Sequence, residues 1–137
     1  MSMTIEQNIQ DFLRGEGNNS GLADGLLIEE RIYHGPLILN ADRLERCTGP
    51  EPHMRYRTEA ENFERRVAGI MDRVRNGGNL FPLLVNYERG RFTINDGNHR
   101  LEAYARMGIQ KIEAIVWITA SDEASRSAWE AETAAFL

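Results

Sequence analysis

The sequence predicts a small α/β domain, and three observations carry that expectation. Short apolar runs with strand character alternate with amphipathic helical stretches from residue 26 onward. Thr58 to Asn76 has the periodicity of a long amphipathic helix. From Phe92 onward a strand runs into Asn95-Asp-Gly-Asn-His, and a helix leaves that turn at once. A length of 137 residues suits one core.

The first element is a helix over Thr4 to Leu13. Thr4 caps it, Gln7 completes a capping box, and Ile5, Ile9, Phe12 and Leu13 share one face. Gly15 to Gly21, rich in Gly and Asn, is expected to be a flexible linker. Residues 1–21 are therefore read as an appended helix and linker, 22–120 as the domain, and 121–137 as a C-terminal helix. The two terminal helices are candidate partner surfaces.

Leu26 to Tyr33 reads as a strand, with Leu26, Ile28, Glu30 and Ile32 on one side. Glu30 is the odd member of that apolar row, which makes it a candidate general base whose carboxyl burial would raise. A strand edge that turns it to solvent is the plainer reading. Pro36 to Asn40 reads as a second short strand and Ala41 to Arg46 as a helical turn. Thr48 to Arg57 is a loop carrying His53, Arg55 and Arg57.

In the long helix Thr58 and Glu61 form a capping box. Phe63, Val67, Ile70, Met71 and Val74 make its stripe, and Gly77 closes it. Leu83 to Tyr87 and Arg91 to Ile94 are strands joined by the three-residue hairpin Glu88-Arg89-Gly90. Arg100 to Met107 is a helix stopped by Gly108, Ile112 to Ile118 a strand, and Ser121 the cap of the last helix. Trp117 and Trp129 are read as core or interface residues, and His34 and His53 as isolated, solvated histidines rather than zinc ligands.

The composition narrows the function classes. No apolar run is long enough to span a bilayer, and the N-terminus lacks the pattern of a secretory signal. Cys47 is the only cysteine, which fits a reducing cytoplasm. The net charge of −5 and the absence of a basic stripe count against a nuclease or a non-specific nucleic-acid binder.

The chemistry concentrates in Asp96-Gly97-Asn98-His99-Arg100. A helix start presents unpaired N–H groups and a partial positive charge, so anions bind there. Gly97 allows close backbone approach, His99 adds a donor, and Arg100 can grip two phosphate oxygens. Asp96 suits such a site as a Mg²⁺ ligand or a proton acceptor. A turn that simply caps a helix is the alternative reading.

Residues 36 to 118, with Asp-Gly-Asn-His-Arg-Leu-Glu-Ala-Tyr and the following Met-Gly-Ile…Ile-Glu-Ala-Ile-Val, resemble the ParB N-terminal domain/sulfiredoxin-like superfamily. The resemblance implies a small mixed sheet with helices. Sulfiredoxins carry Gly-Cys-His-Arg; here Asn98 holds the cysteine's place and Cys47 lies far off in the sequence, so their thiol chemistry is not implied. Chromosome-partitioning members bind CTP and read DNA through a following helix-turn-helix domain, for which residues 121–137 leave no room in this sequence. Asp96, Gly97, His99 and Arg100 match the Asp-Gly-His-His-Arg pattern of kinase-like members, with Asn98 in place of the first His.

The resemblance thus implies ATP or CTP as ligand, with Gly97, Asn98, His99, Arg100, Arg55 and Arg57 near the nucleotide. Asp96, His99 and Glu30 become catalytic candidates, Asp96 with Mg²⁺. Transfer of the terminal phosphate to a small-molecule acceptor is one implied function. A non-catalytic module whose nucleotide controls homodimerisation or contact with a protein partner is the second, and a nuclease the third.

Overall fold

The computed structural model describes residues 4–134. In chain order the elements are α1 (Ile5–Arg14), α2 (Ser20–Leu26), β1 (Arg31–Asn40), β2 (Leu44–Glu45), β3 (Thr48–Gly49), β4 (Tyr56–Arg57), α3 (Ala60–Arg75), β5 (Leu83–Glu88), β6 (Arg91–Asp96), α4 (Asn98–Arg106), β7 (Lys111–Thr119) and α5 (Glu123–Thr133). Five strands form one sheet in the order β1-β7-β5-β6-β2; β3 and β4 form a separate pair. The large sheet is mixed, as expected. β7 runs parallel to β5 and antiparallel to β1, while β6 is antiparallel to β5 and parallel to β2.

Both faces of the sheet are covered, which is why its central strands read as continuous apolar runs. Leu83, Val85, Tyr87, Ile94, Ala114, Val116 and Ile118 point to the side of α4 and α5. Leu84, Ile115 and Trp117 alternate to the other side and meet Ile9, Leu13, Ala23 and Leu26 of α1 and α2. α3 packs on α4 through Phe63, Val67 and Ala103.

The N-terminal region departs from the sequence expectation. The capping box of α1 forms, with Gln7 N donating to Thr4 Oγ1 at 3.1 Å and Thr4 N to Gln7 Oε1 at 3.0 Å. Residues 15–21 are not a free linker, however. The Asn19 side chain accepts from Leu22 N and caps α2, and Ile9, Leu13 and Ala23 are wholly buried. The helix and its connection are therefore part of the packed domain. α5 is likewise seated on the sheet, with Trp129 against Tyr87 and Phe92.

Other boundaries shift for identifiable reasons. The alternation over Leu26 to Tyr33 does not make a strand, because Leu26 belongs to α2 while Leu27 and Ile28 are exposed. One strand, β1, instead spans Arg31 to Asn40, with a register shift between His34 and Leu37 at the cis Gly35–Pro36 bond. Thr58 does not cap α3; Glu59 occupies that position without a side-chain bond, and Thr58 Oγ1 is buried without a partner. The β5–β6 hairpin has a two-residue turn, with Arg89 at φ 49° and Gly90 at φ 87° and Glu88 paired to Arg91. Positive φ at both positions is the twist-compatible arrangement for so short a loop. At α5 the cap is Asp122, whose Oδ1 accepts from Ser125 N at 3.1 Å, one residue beyond the expected Ser121.

Candidate functional site

The end of β6 delivers the site. Asp96 pairs with Leu84 at the N-terminal end of β5, and Gly97 then turns the chain into α4. Gly97 has φ 113° and ψ 21°, and a Cβ there would lie 2.1 Å from Leu83 Cδ2. Only glycine meets both conditions. Gly97 also has no side chain to cap α4, so the first amides of the helix keep their unpaired character. A cavity of about 520 Å³ opens on that helix start.

Two residues of the loop are committed to holding it in shape. Asn98 is 6% exposed; its Oδ1 accepts from Cys47 N at 2.8 Å and from Thr48 N at 3.2 Å. Its Nδ2 donates to Ile94 O at 3.4 Å. Arg100 is 8% exposed, and its guanidinium donates to the Phe81 carbonyl and, at 3.0 Å, to Asp96 Oδ2. Burial lowers Arg100 from its ordinary value, and Asp96 opposes that shift. Two of the five guanidinium N–H donors of Arg100 thus serve the protein itself, while the residue still lines the cavity.

Asp96 is engaged on both sides. Oδ2 holds Arg100, and Oδ1 accepts from Asn19 Nδ2 at 3.3 Å. Among the described residues no cluster of three or more His, Cys, Asp or Glu side chains is placed to hold a metal.

His99 has a different character. It packs against Phe63 with ring centroids 5.0 Å apart and the planes tilted by 41°, and its Nε2 is buried without a partner. Burial, then the nearby Arg66 and Arg46 guanidinium groups, push it down to about 4. At neutral pH it is an uncharged hydrogen-bonding group. Asn95 Oδ1 is also buried and unpaired. Positive charge at the cavity comes from α3, which contributes Arg66 and Arg73. Arg73 meets Glu16 at 3.6 Å; among the described residues Arg66 has no carboxylate within ion-pair distance.

The other candidates lie elsewhere. Glu30 is exposed at the far end of β1, where its carbonyl accepts from Ala120 N at 2.9 Å; it sits in no apolar row. Arg57 donates to the Pro50 carbonyl, and Arg55 lies over the Tyr56 ring. Arg55, His53 and Cys47 line a separate cleft of about 890 Å³ along β2 and α4, not the loop cavity. Cys47 itself is close to the loop in space: Sγ donates to Ile94 O at 3.0 Å and lies 3.8 Å from Asn98 Nδ2. Sequence reasoning missed that proximity, and it missed Arg66 and Arg73. The signal for the arginines was present in the spacing of Arg66, Gly69, Ile70 and Arg73, which share one helical face.

Fold and site together define an α/β domain with a polar cavity at an uncapped helix start, fed by two arginines. The family is more specific: the ParB N-terminal domain profile matches residues 52–132, and the chain belongs to that family. Among solved structures it is similar to the chromosome-partitioning protein ParB from Caulobacter crescentus complexed with CTP-gamma-S, at 20% identity and a TM-score of 0.45. That likeness covers 74% of this chain and 54% of the ParB chain, so this chain spans about half of that one's length. Sulfiredoxin from Arabidopsis thaliana is similar at 28% identity and a TM-score of 0.44, over 69% of this chain and 98% of that one. A conserved hypothetical protein from Pyrococcus furiosus aligns at 15% identity and a TM-score of 0.47, over 69% of this chain and 36% of that one. No curated protein matches the sequence. No described helix is long and apolar enough to cross a membrane.

Proposed function

We propose that this chain binds the phosphate groups of a nucleotide, ATP or CTP, in the cavity at the start of α4. The observation that carries the reading is the set of unsatisfied polar groups there. His99 Nε2, a donor when it carries the ring proton, is buried without a partner, and buried polar atoms are ordinarily hydrogen-bonded; Asn95 Oδ1, also unpaired, is an acceptor and suits a hydroxyl or amino group of the ligand rather than its phosphate. The amides after Gly97 and the Arg66 guanidinium supply donors and charge to an anion. Asn98 and Arg100 hold the backbone of the loop in position, and both line the cavity.

Binding is favoured over turnover. The carboxylate that a kinase-like reaction would use for proton chemistry is taken up by Arg100 and Asn19. On this reading the nucleotide is a ligand controlling contact with a protein partner or a second copy, not a phosphoryl donor. Calorimetric titration with ATP, CTP and GTP tests it, alongside a phosphate-release assay. Binding of one nucleotide by the wild type, roughly tenfold weaker in Arg66→Ala and without release of phosphate, is the expected result. Equal affinity in Arg66→Ala would remove the cavity from the account. Steady phosphate release abolished by Asp96→Asn in a folded variant would restore the catalytic reading.

A further inference from the structure

We propose that Glu16, in the connection between α1 and α2, is a specificity-determining residue of this cavity that discriminates among ligands by their phosphate charge. The inference rests on the phosphate-binding reading above and deepens it.

The α1–α2 connection forms a wall of the same cavity that opens on α4. Phe12, Glu16, Gly17 and Asn19 line it opposite Gly97 and His99. Three contacts seat this wall. Phe12 stacks on Phe81 with ring centroids 4.1 Å apart and the planes 5° from parallel. Asn19 Nδ2 reaches Asp96 Oδ1. Gly17 closes over Phe12, where a Cβ would lie 2.7 Å from the ring and 2.9 Å from the Phe12 carbonyl. Since Ile9 and Leu13 are wholly buried under the sheet, the wall is a built part of the site.

Glu16 brings the one carboxylate of that wall toward the cavity's cations. Its Oε1 lies 3.6 Å from Arg73 Nη2. The charged and titratable groups around it are Arg73 and Arg66 on α3, neutral His99, and the Asp96–Arg100 pair, which is internally compensated. An incoming phosphate therefore meets one arginine already paired with an acid. Each added phosphate negative charge gains attraction from Arg66 and Arg73 and suffers repulsion from Glu16, so Glu16 flattens the preference for longer phosphate chains. Glu16 is well exposed, with a side chain 75% accessible, and the pair with Arg73 adds little to stability. Removing its charge leaves the fold in place.

The test compares wild type and Glu16→Gln by calorimetry with AMP, ADP and ATP and with CMP, CDP and CTP. The expected result is a graded gain in Glu16→Gln, small for the monophosphate and roughly three- to tenfold for the triphosphate, the size of one repulsion across a solvent-filled cavity. At about 1 M salt, where the Debye length is about 3 Å, the gain should vanish. A gain equal for mono-, di- and triphosphate, or none while the wild type binds, overturns the charge-selection role and leaves phosphate binding intact. If neither protein binds any of the six nucleotides, both readings fall together.

Discussion

The two ends of the sheet treat polar groups in opposite ways. Around α5 three polar groups that enter the core are matched. Tyr87 Oη donates to Glu132 at 2.9 Å, Thr133 Oγ1 to the Trp129 carbonyl at 2.8 Å, and Arg89 N to Ser125 Oγ at 3.0 Å. Tyr87 is pushed up to about 12 by burial and by the Glu132 carboxylate it binds. At the start of α4 the pattern reverses. There His99 Nε2 and Asn95 Oδ1 are buried with nothing to bind; elsewhere among the described residues only Thr58 Oγ1 and Trp117 Nε1 share that state. One end is built for stability, and the other tolerates unsatisfied groups that a ligand can satisfy. The Asp96–Arg100 pair marks the boundary, since it is polar, nearly enclosed and yet complete.

Substitutions can break that contrast at either end. Trp129→Ala should have the largest effect, about 3–5 kcal/mol lost from stability, because its ring packs on Tyr87, Phe92 and His34. Nucleotide affinity of the folded fraction should not change; a parallel loss of affinity in chemical denaturation and titration experiments would merge the two regions. Asp96→Ala should cost about 3 kcal/mol, since it leaves the Arg100 guanidinium enclosed and unpaired. A wild-type denaturation midpoint in that variant would contradict the structural role given to the pair. Gly97→Ala should cost about 2 kcal/mol from its positive φ and the contact with Leu83, and should also weaken nucleotide binding by displacing the first amides of α4.

A smaller effect concerns pH. His99 titrates at about 4 when folded and near its ordinary 6.5 when unfolded. Between those values the unfolded chain binds more protons, so stability falls as pH drops from 6.5 toward 4 and levels off below. His34, also lowered by burial, contributes in the same direction. His99→Gln should therefore reduce the slope of stability against pH in that window without removing it. An unchanged slope would place His99 in solvent. Arg66→Ala should change stability least, by about 0.5 kcal/mol or less, while lowering nucleotide affinity.

Much of the fold could be read from the sequence where the period was strong and the neighbours were local. The stripe of α3, the paired strands β5 and β6, and the strand–Gly97–helix turn are all found close to their expected places. The N-terminal third could not be read in the same way. The alternation of Leu26, Ile28, Glu30 and Ile32 lost to the packing of Ala23 and Leu26 on α1, a tertiary preference that no local period records. Similarly, the Gly- and Asn-rich stretch looked free because its anchor, Asn19 on Asp96, spans 77 positions.

The site divides along the same line. Its glycine was evident from the motif, and the conformation of Gly97 explains the need for it. The roles of Asp96, Asn98 and Arg100 were not, because each depends on a partner distant in sequence: Asn19, Cys47 and Phe81 respectively. The neutral state of His99 is not legible in the motif, because Phe63 and Arg66, which enclose it and oppose its charge, come from α3.

The most direct test of the central claim is an amide chemical-shift titration of the wild-type chain with CTP and with ATP. The account predicts saturable shifts concentrated at Gly97, Asn98, His99 and Arg100 and on the Arg66 face of α3, with α5 and its aromatic neighbours silent. Shifts centred instead on the Arg55 and His53 cleft, or none at saturating nucleotide, would contradict it.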